Sequence, residues 1–95
     1  MGAMNLSVNL NNVDNNVSVV RVESSNTSVE RLIVELNNNH EIHLAAPLYG
    51  VTIFRKGDRF IVIENDRVSS MDKRELENLL KVVLTKCHWI YIIKP

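Results

Sequence analysis

The sequence predicts an α+β domain: a mainly antiparallel β-sheet of six to seven strands laid down as successive hairpins, with one C-terminal amphipathic helix before a final strand. Three stretches carry this reading. Residues 51–64 are two runs rich in Val, Ile and Phe around Gly57-Asp58, the pattern of a tight hairpin with glycine first in the turn. Residues 72–86 place Leu76, Leu79, Leu80, Val83 and Leu84 at helical spacing, with Cys87 continuing the stripe. Residues 88–93, from His88 to Ile93, are apolar on both sides of an extended chain, which marks an interior strand or one at a partner interface.

Taken in order, residues 5–10 alternate: Leu6, Val8 and Leu10 point one way, and Asn5, Ser7 and Asn9 the other. That is a half-buried strand. A polar loop over 11–16 leads to a second strand over 17–23, and the two are expected to pair. Ser24 to Ser28 is a polar turn. Ser28 can cap a helix, but Leu32, Val34 and Leu36 make a clean strand face, so residues 29–36 are expected to be extended. The asparagines at 37–39 then form a hairpin loop into a strand over 40–46, which Pro47 ends. Residues 48–50 are a connector.

The 51–64 hairpin follows. In its register Lys56 faces Arg59, Phe54 faces Ile61 and Ile53 faces Val62. Val51, Ile53, Phe60 and Val62 occupy one face, and Phe54, Ile61 and Ile63 the other. Both faces are apolar, so the hairpin is expected to be covered on both sides. Asn65 to Arg67 is a turn. Asp72 with Glu75 three residues on reads as a capping box for the helix, and Glu77 with Lys81 as a favourable i,i+4 pair. The unit formed by 60–64, the helix and 88–93 fits either a parallel crossover or an antiparallel return.

Ninety-five residues make one domain. Met1 to Ala3 reads as a cloning remnant, and 4–95 as a single globular unit. No apolar run reaches the ~20 residues of a membrane span, and the first residues lack the basic start and apolar stretch of a signal peptide. A single cysteine, Cys87, excludes an intramolecular disulfide. The expected setting is the reducing cytoplasm. The twelve asparagines cluster where turns are wanted. Such a composition also accompanies AT-rich coding sequences, as in small viral and mobile-element proteins.

The chain is neutral, but residues 1–48 carry two basic and five acidic side chains and residues 49–95 nine and six, so the halves stand at −3 and +3. Two functions fit this frame. The first is a non-enzymatic accessory or regulatory module that binds a protein partner and forms a homodimer, with Trp89, Tyr91 and Ile93 as the self-contact residues. Aromatic side chains on one strand face favour interfaces. The second is nucleic-acid binding, with Arg55, Lys56 and Arg59 at the hairpin tip joined by Arg67, Lys73 and Arg74. A basic two-stranded ribbon can follow a phosphate backbone or enter a groove.

Catalysis and cofactors find no footing. His40-Glu41-Ile42-His43 and Cys87-His88 contain ligand-type residues, but residues three apart on a strand point to opposite faces, and the paired spacings of zinc sites are absent. No metal is expected. Cys87 ends an apolar stripe and should be packed rather than reactive. The serines lie in turns with no nucleophile elbow. With glycines only at positions 2, 50 and 57, no loop can cradle a phosphate, and no cofactor is expected.

Overall fold

A computed structural model describes residues 17–95. Six strands form one antiparallel sheet, and two helices lie on one of its faces. The elements are β1 (Ser18–Glu23), a 3-10 turn (Ser24–Asn26), α1 (Val29–Asn37), β2 (Glu41–Ala46), β3 (Tyr49–Lys56), β4 (Arg59–Glu64), β5 (Arg67–Met71), α2 (Lys73–Val83) and β6 (Trp89–Lys94). The strand order is β1-β6-β2-β3-β4-β5. The last strand is therefore interior, between β1 and β2. Because every neighbouring pair is antiparallel, β1 runs parallel to β2, and β5 parallel to β6. Each helix thus makes a parallel crossover. The α2 connection leads from β5, not from β4 as expected, and β4 runs antiparallel to β6.

The strand expected over 29–36 is a helix. Val29, Leu32, Ile33 and Leu36 stand at i, i+3, i+4 and i+7, and Leu32, Ile33 and Leu36 are buried while Val34 faces out. Ser28 caps it by accepting from the Arg31 backbone amide at 3.2 Å. The asparagines at 37–39 are not a hairpin loop but the end of this helix. Asn39 takes a left-handed conformation (φ 65°). Its amide donates to the Leu36 carbonyl and that of His40 to the Glu35 carbonyl, which is a Schellman motif with asparagine in the place glycine usually holds. The His40 ring Nδ1 also donates to the Glu35 carboxylate.

Two further boundaries differ. The stretch 48–50 is no connector: Pro47-Leu48 is a two-residue turn between Ala46 and Tyr49, which already pair. The turn after β4 is only Asn65-Asp66, since Arg67 pairs with Glu64 and opens β5. The expected strand over 5–10 and its pairing lie outside the described residues. The 51–64 register is as expected, with Gly57 at φ +67°, a value that favours glycine.

One core joins the helices to the sheet. Ile42, Leu44, Val51, Ile53, Phe60, Val62, Ile90 and Ile92 face Leu32, Ile33 and Leu36 of α1 and Leu76, Leu80 and Val83 of α2. The α2 stripe is as read from sequence, and its capping box is present on both sides: the Asp72 carboxylate accepts from the Glu75 amide at 2.9 Å, and Glu75 accepts from the Asp72 amide at 3.0 Å. Cys87 closes this core, buried at the end of α2. Tyr49 lies at its margin and donates to Glu64 at 2.7 Å. Burial, then the Glu64 carboxylate, push its phenol up to about 12.

Candidate interaction surface

Because strand side chains alternate, the face away from the helices is fixed by the same register that builds the core. It carries three rows. Arg21, Tyr91, His43, Thr52, Ile63 and Val68 lie side by side across all six strands. On one flank run Val19, Ile93 and Glu41, continued by Phe54, Ile61 and Ser70. On the other lie Glu23, Trp89, Ala45 and Gly50. No described residue covers these rows. Tyr91, Ile93, Phe54, Ile61 and Ile63 are half-buried by one another, and Val19 and Val68 are exposed. The expectation that both faces of 51–64 are covered therefore meets a sheet whose helix side is sealed and whose other side is open among the described residues.

The three residues expected to make self-contact all point to this open face. Trp89, Tyr91 and Ile93 alternate with the buried Ile90 and Ile92. Trp89 is held on two sides. The Arg21 guanidinium lies 4.2 Å from its ring centroid, a cation–π contact. The His88 ring meets it edge-on at 4.6 Å and 81°. The indole separates two hollows at one end of the sheet. One, of about 440 Å³, is bounded by Arg21, Glu23, Asn26 and Arg31. The other, of about 350 Å³, is apolar and bounded by Ala45, Ala46, Pro47 and His88.

At the centre of the face, the His43 Nε2 lies 2.6 Å from Glu41 Oε2, and its Nδ1 lies 3.2 Å from Thr52 Oγ1. With the proton on Nε2, facing the carboxylate, Nδ1 accepts from the threonine hydroxyl. This hydroxyl–imidazole–carboxylate chain has the connectivity of a nucleophile relay. Thr52 sits on β3, however, which is paired on both sides. The surrounding amides are committed to the ladder, so no backbone donor is free to hold an oxyanion. His43 also meets no second histidine: His40 turns to Glu35 on the helix side. Among the described residues no three His, Cys, Asp or Glu side chains converge as a metal site.

The six basic candidates do not form one group. Arg55, Lys56 and Arg59 surround the β3–β4 turn, and Lys73 and Arg74 start α2 just after Met71, which pairs with Phe60 at that same end. Arg67 pairs with Glu64 at the far end of β4, roughly 17 Å away at ~3.4 Å per residue. Arg59 is partly engaged: it donates to Ser70 Oγ at 2.7 Å and to the Ser70 carbonyl at 3.1 Å, and stands 4.0 Å from Glu75.

Two parts of this surface escaped the sequence reading. The alternation of 51–64 predicts a covered face for Phe54, Ile61 and Ile63, and Leu48 falls in a stretch expected to be a connector. Leu48 is 96% exposed at the β2–β3 turn. A leucine directly after a turn proline, where polar residues dominate, was the available signal.

Comparison with known proteins gives no match: no family model, no curated protein and no solved structure aligns with this chain. No helix of the described residues is long and apolar enough to cross a membrane.

Proposed function

We propose that this protein is a non-enzymatic, intracellular binding module, an accessory or regulatory subunit that acts through protein–protein contacts and forms a homodimer through its open sheet face. The observation that supports this most is the contrast between the two sides of one sheet. The side under α1 and α2 is closed, whereas the other presents two apolar strips, Trp89, Tyr91 and Ile93 on β6 and Phe54, Ile61 and Ile63 on β3 and β4, with Glu41 and His43 of β2 between them. Apolar side chains left open on one face of a sheet are the mark of an interaction site. Trp, Tyr and Arg, here stacked at Trp89 and Arg21, are the residues that concentrate binding energy. The single cysteine, free and buried, agrees with a reducing compartment.

The test is the mass of Trp89→Ala and Ile93→Glu variants by light scattering, with circular dichroism to show that the fold is kept. Both variants are expected to be monomers under conditions where the parent is a dimer. Folded variants that keep the parent's mass would remove these residues from the interface.

A second reading rests on the gathering of Arg55, Lys56, Arg59, Lys73 and Arg74 at one end of the sheet. In it, that end contacts a nucleic-acid backbone. Binding must then weaken steeply with salt, and Arg55→Ala with Arg59→Ala must weaken it further.

A further inference from the structure

We propose that the hollow between Arg21 and Arg31, at the β1 end of the sheet, takes a carboxylate from an acidic segment of a partner protein. This rests on the protein–protein reading above and names the chemistry of the partner.

The first observation is where the hollow lies. It holds about 440 Å³ and is bounded by Arg21, Val22, Glu23, Asn26, Arg31 and Trp89. Arg21, Val22 and Glu23 are consecutive on β1, and neighbours on a strand point to opposite faces. A hollow that touches all three therefore wraps around the strand. β1 is the end strand of the sheet, so the hollow runs from the open face, at Arg21 and Trp89, round the side of the sheet to Arg31 at the start of α1. An extended segment of another chain recognises such a sheet margin by laying its side chains into pockets along it.

The second observation is how the two guanidinium groups are held. Arg21 is fixed by stacking, 4.2 Å from the Trp89 ring centroid. A guanidinium stacked on an aromatic ring keeps its donors in its own plane, ready for an anion at its edge. Arg31 lies 3.9 Å from Glu35, beyond hydrogen-bond length, so that contact leaves its donors uncommitted. It also stands in the first turn of α1, where the helix dipole disfavours a cation. The two arginines come from different elements and meet at one hollow.

Charge selects the ligand. Glu23 is the one carboxylate on the wall and stands 3.9 Å from His88 Nε2. Two guanidinium groups against one carboxylate leave a single positive charge, which suits a carboxylate better than a doubly charged phosphate. The Asn26 side chain offers both a donor and an acceptor, as a peptide group requires.

The experiment is calorimetric titration of the full chain, at low salt, with a blocked hexaglutamate peptide, with hexaglutamine and with inorganic phosphate. The variants are Arg31→Gln, Arg21→Gln, Glu23→Gln and, as a charge control on the other helix, Lys81→Gln. Arg21, Arg31 and Lys81 are exposed and Glu23 is half-buried, and circular dichroism checks each fold. Hexaglutamate should bind the parent and hexaglutamine should not. Each arginine change should raise the dissociation constant roughly fivefold, the size of one exposed ion pair. Glu23→Gln should lower it by a similar factor, and Lys81→Gln should leave it unchanged. No binding of hexaglutamate, equal binding of hexaglutamine, tighter binding of phosphate, or a Lys81→Gln effect as large as that of Arg31→Gln would each overturn the assignment. Light scattering on the same samples separates the two readings. A dimer that does not bind hexaglutamate removes the acidic partner and leaves the open-face dimer standing, whereas a monomer that binds it with the expected variant pattern supports the hollow and removes the dimer.

Discussion

The identity of residues 29–37 as a helix yields a sharp prediction, because the helical and extended readings share most of their residues. Leu32 and Leu36 are inward in both, as a spacing of four is even and is also about one helical turn. Ile33 and Val34 tell them apart. In the helix Ile33 is 5% exposed and Val34 is 56% exposed; in a strand sharing the Leu32–Leu36 face, Val34 is inside and Ile33 outside. Ile33→Ala removes three buried carbons and leaves a cavity against the core, at a cost of about 2–4 kcal/mol. Val34→Ala removes exposed methyls and replaces a β-branched residue by a better helix former, so stability should change by less than about 0.5 kcal/mol, with a small gain. The assay is urea unfolding followed by circular dichroism, read as the shift in midpoint at constant slope. If Val34→Ala costs as much as Ile33→Ala, the helix and the core built on it are refuted.

Further outcomes follow from the same structure. Asn39→Ala should cost about 1 kcal/mol because alanine resists the left-handed conformation at that position (φ 65°), whereas Asn39→Gly should be neutral or stabilising by thermal melting. Asp72→Ala removes one half of the α2 capping box and should cost about 1 kcal/mol in the same assay. Tyr49 keeps its proton in the fold up to about 12, above the ordinary 10.0. The native state therefore holds a proton the unfolded chain has released. The Tyr49 contribution is complete below pH 10 and declines as pH rises from 10 towards 12. Tyr49→Phe should flatten that decline in alkaline unfolding curves. Burial pushes the Cys87 thiol up, so alkylation at neutral pH should be slow in the native protein and fast in denaturant.

What the sequence made legible was periodic and local. The α2 stripe, its capping box and the 51–64 register could be read because each depends on residues close in the chain. The open face was half legible. The alternation gives Trp89, Tyr91 and Ile93 one side of β6, but whether that side is covered depends on where the helices pack, and the residues of α1 also alternate as a strand would. The reason lies in Ile33. With Val29, Leu32 and Leu36 it completes a helical stripe, yet the polar Ser28 and three following asparagines look as much like turn punctuation as like caps. β5 was missed because Ser69 and Ser70 dilute its only branched residue, Val68, as suits an edge strand. The basic residues illustrate a third limit. Arg67 is eight positions from Arg59 in sequence, but the Asn65-Asp66 turn sends β5 back along β4, so those two ends of β4 are held apart by the length of the strand.

The most direct test of the account is the mass of the purified parent protein by light scattering on a sizing column, with and without short DNA and RNA at low and moderate salt. An interaction module that self-associates through its open face has about twice the 10.9 kDa of the chain, and nucleic acid leaves that mass unchanged. A monomer that binds nucleic acid at low salt and releases it at moderate salt contradicts the account, and moves the working surface from Trp89, Tyr91 and Ile93 to the basic end around Arg55, Lys56 and Arg59.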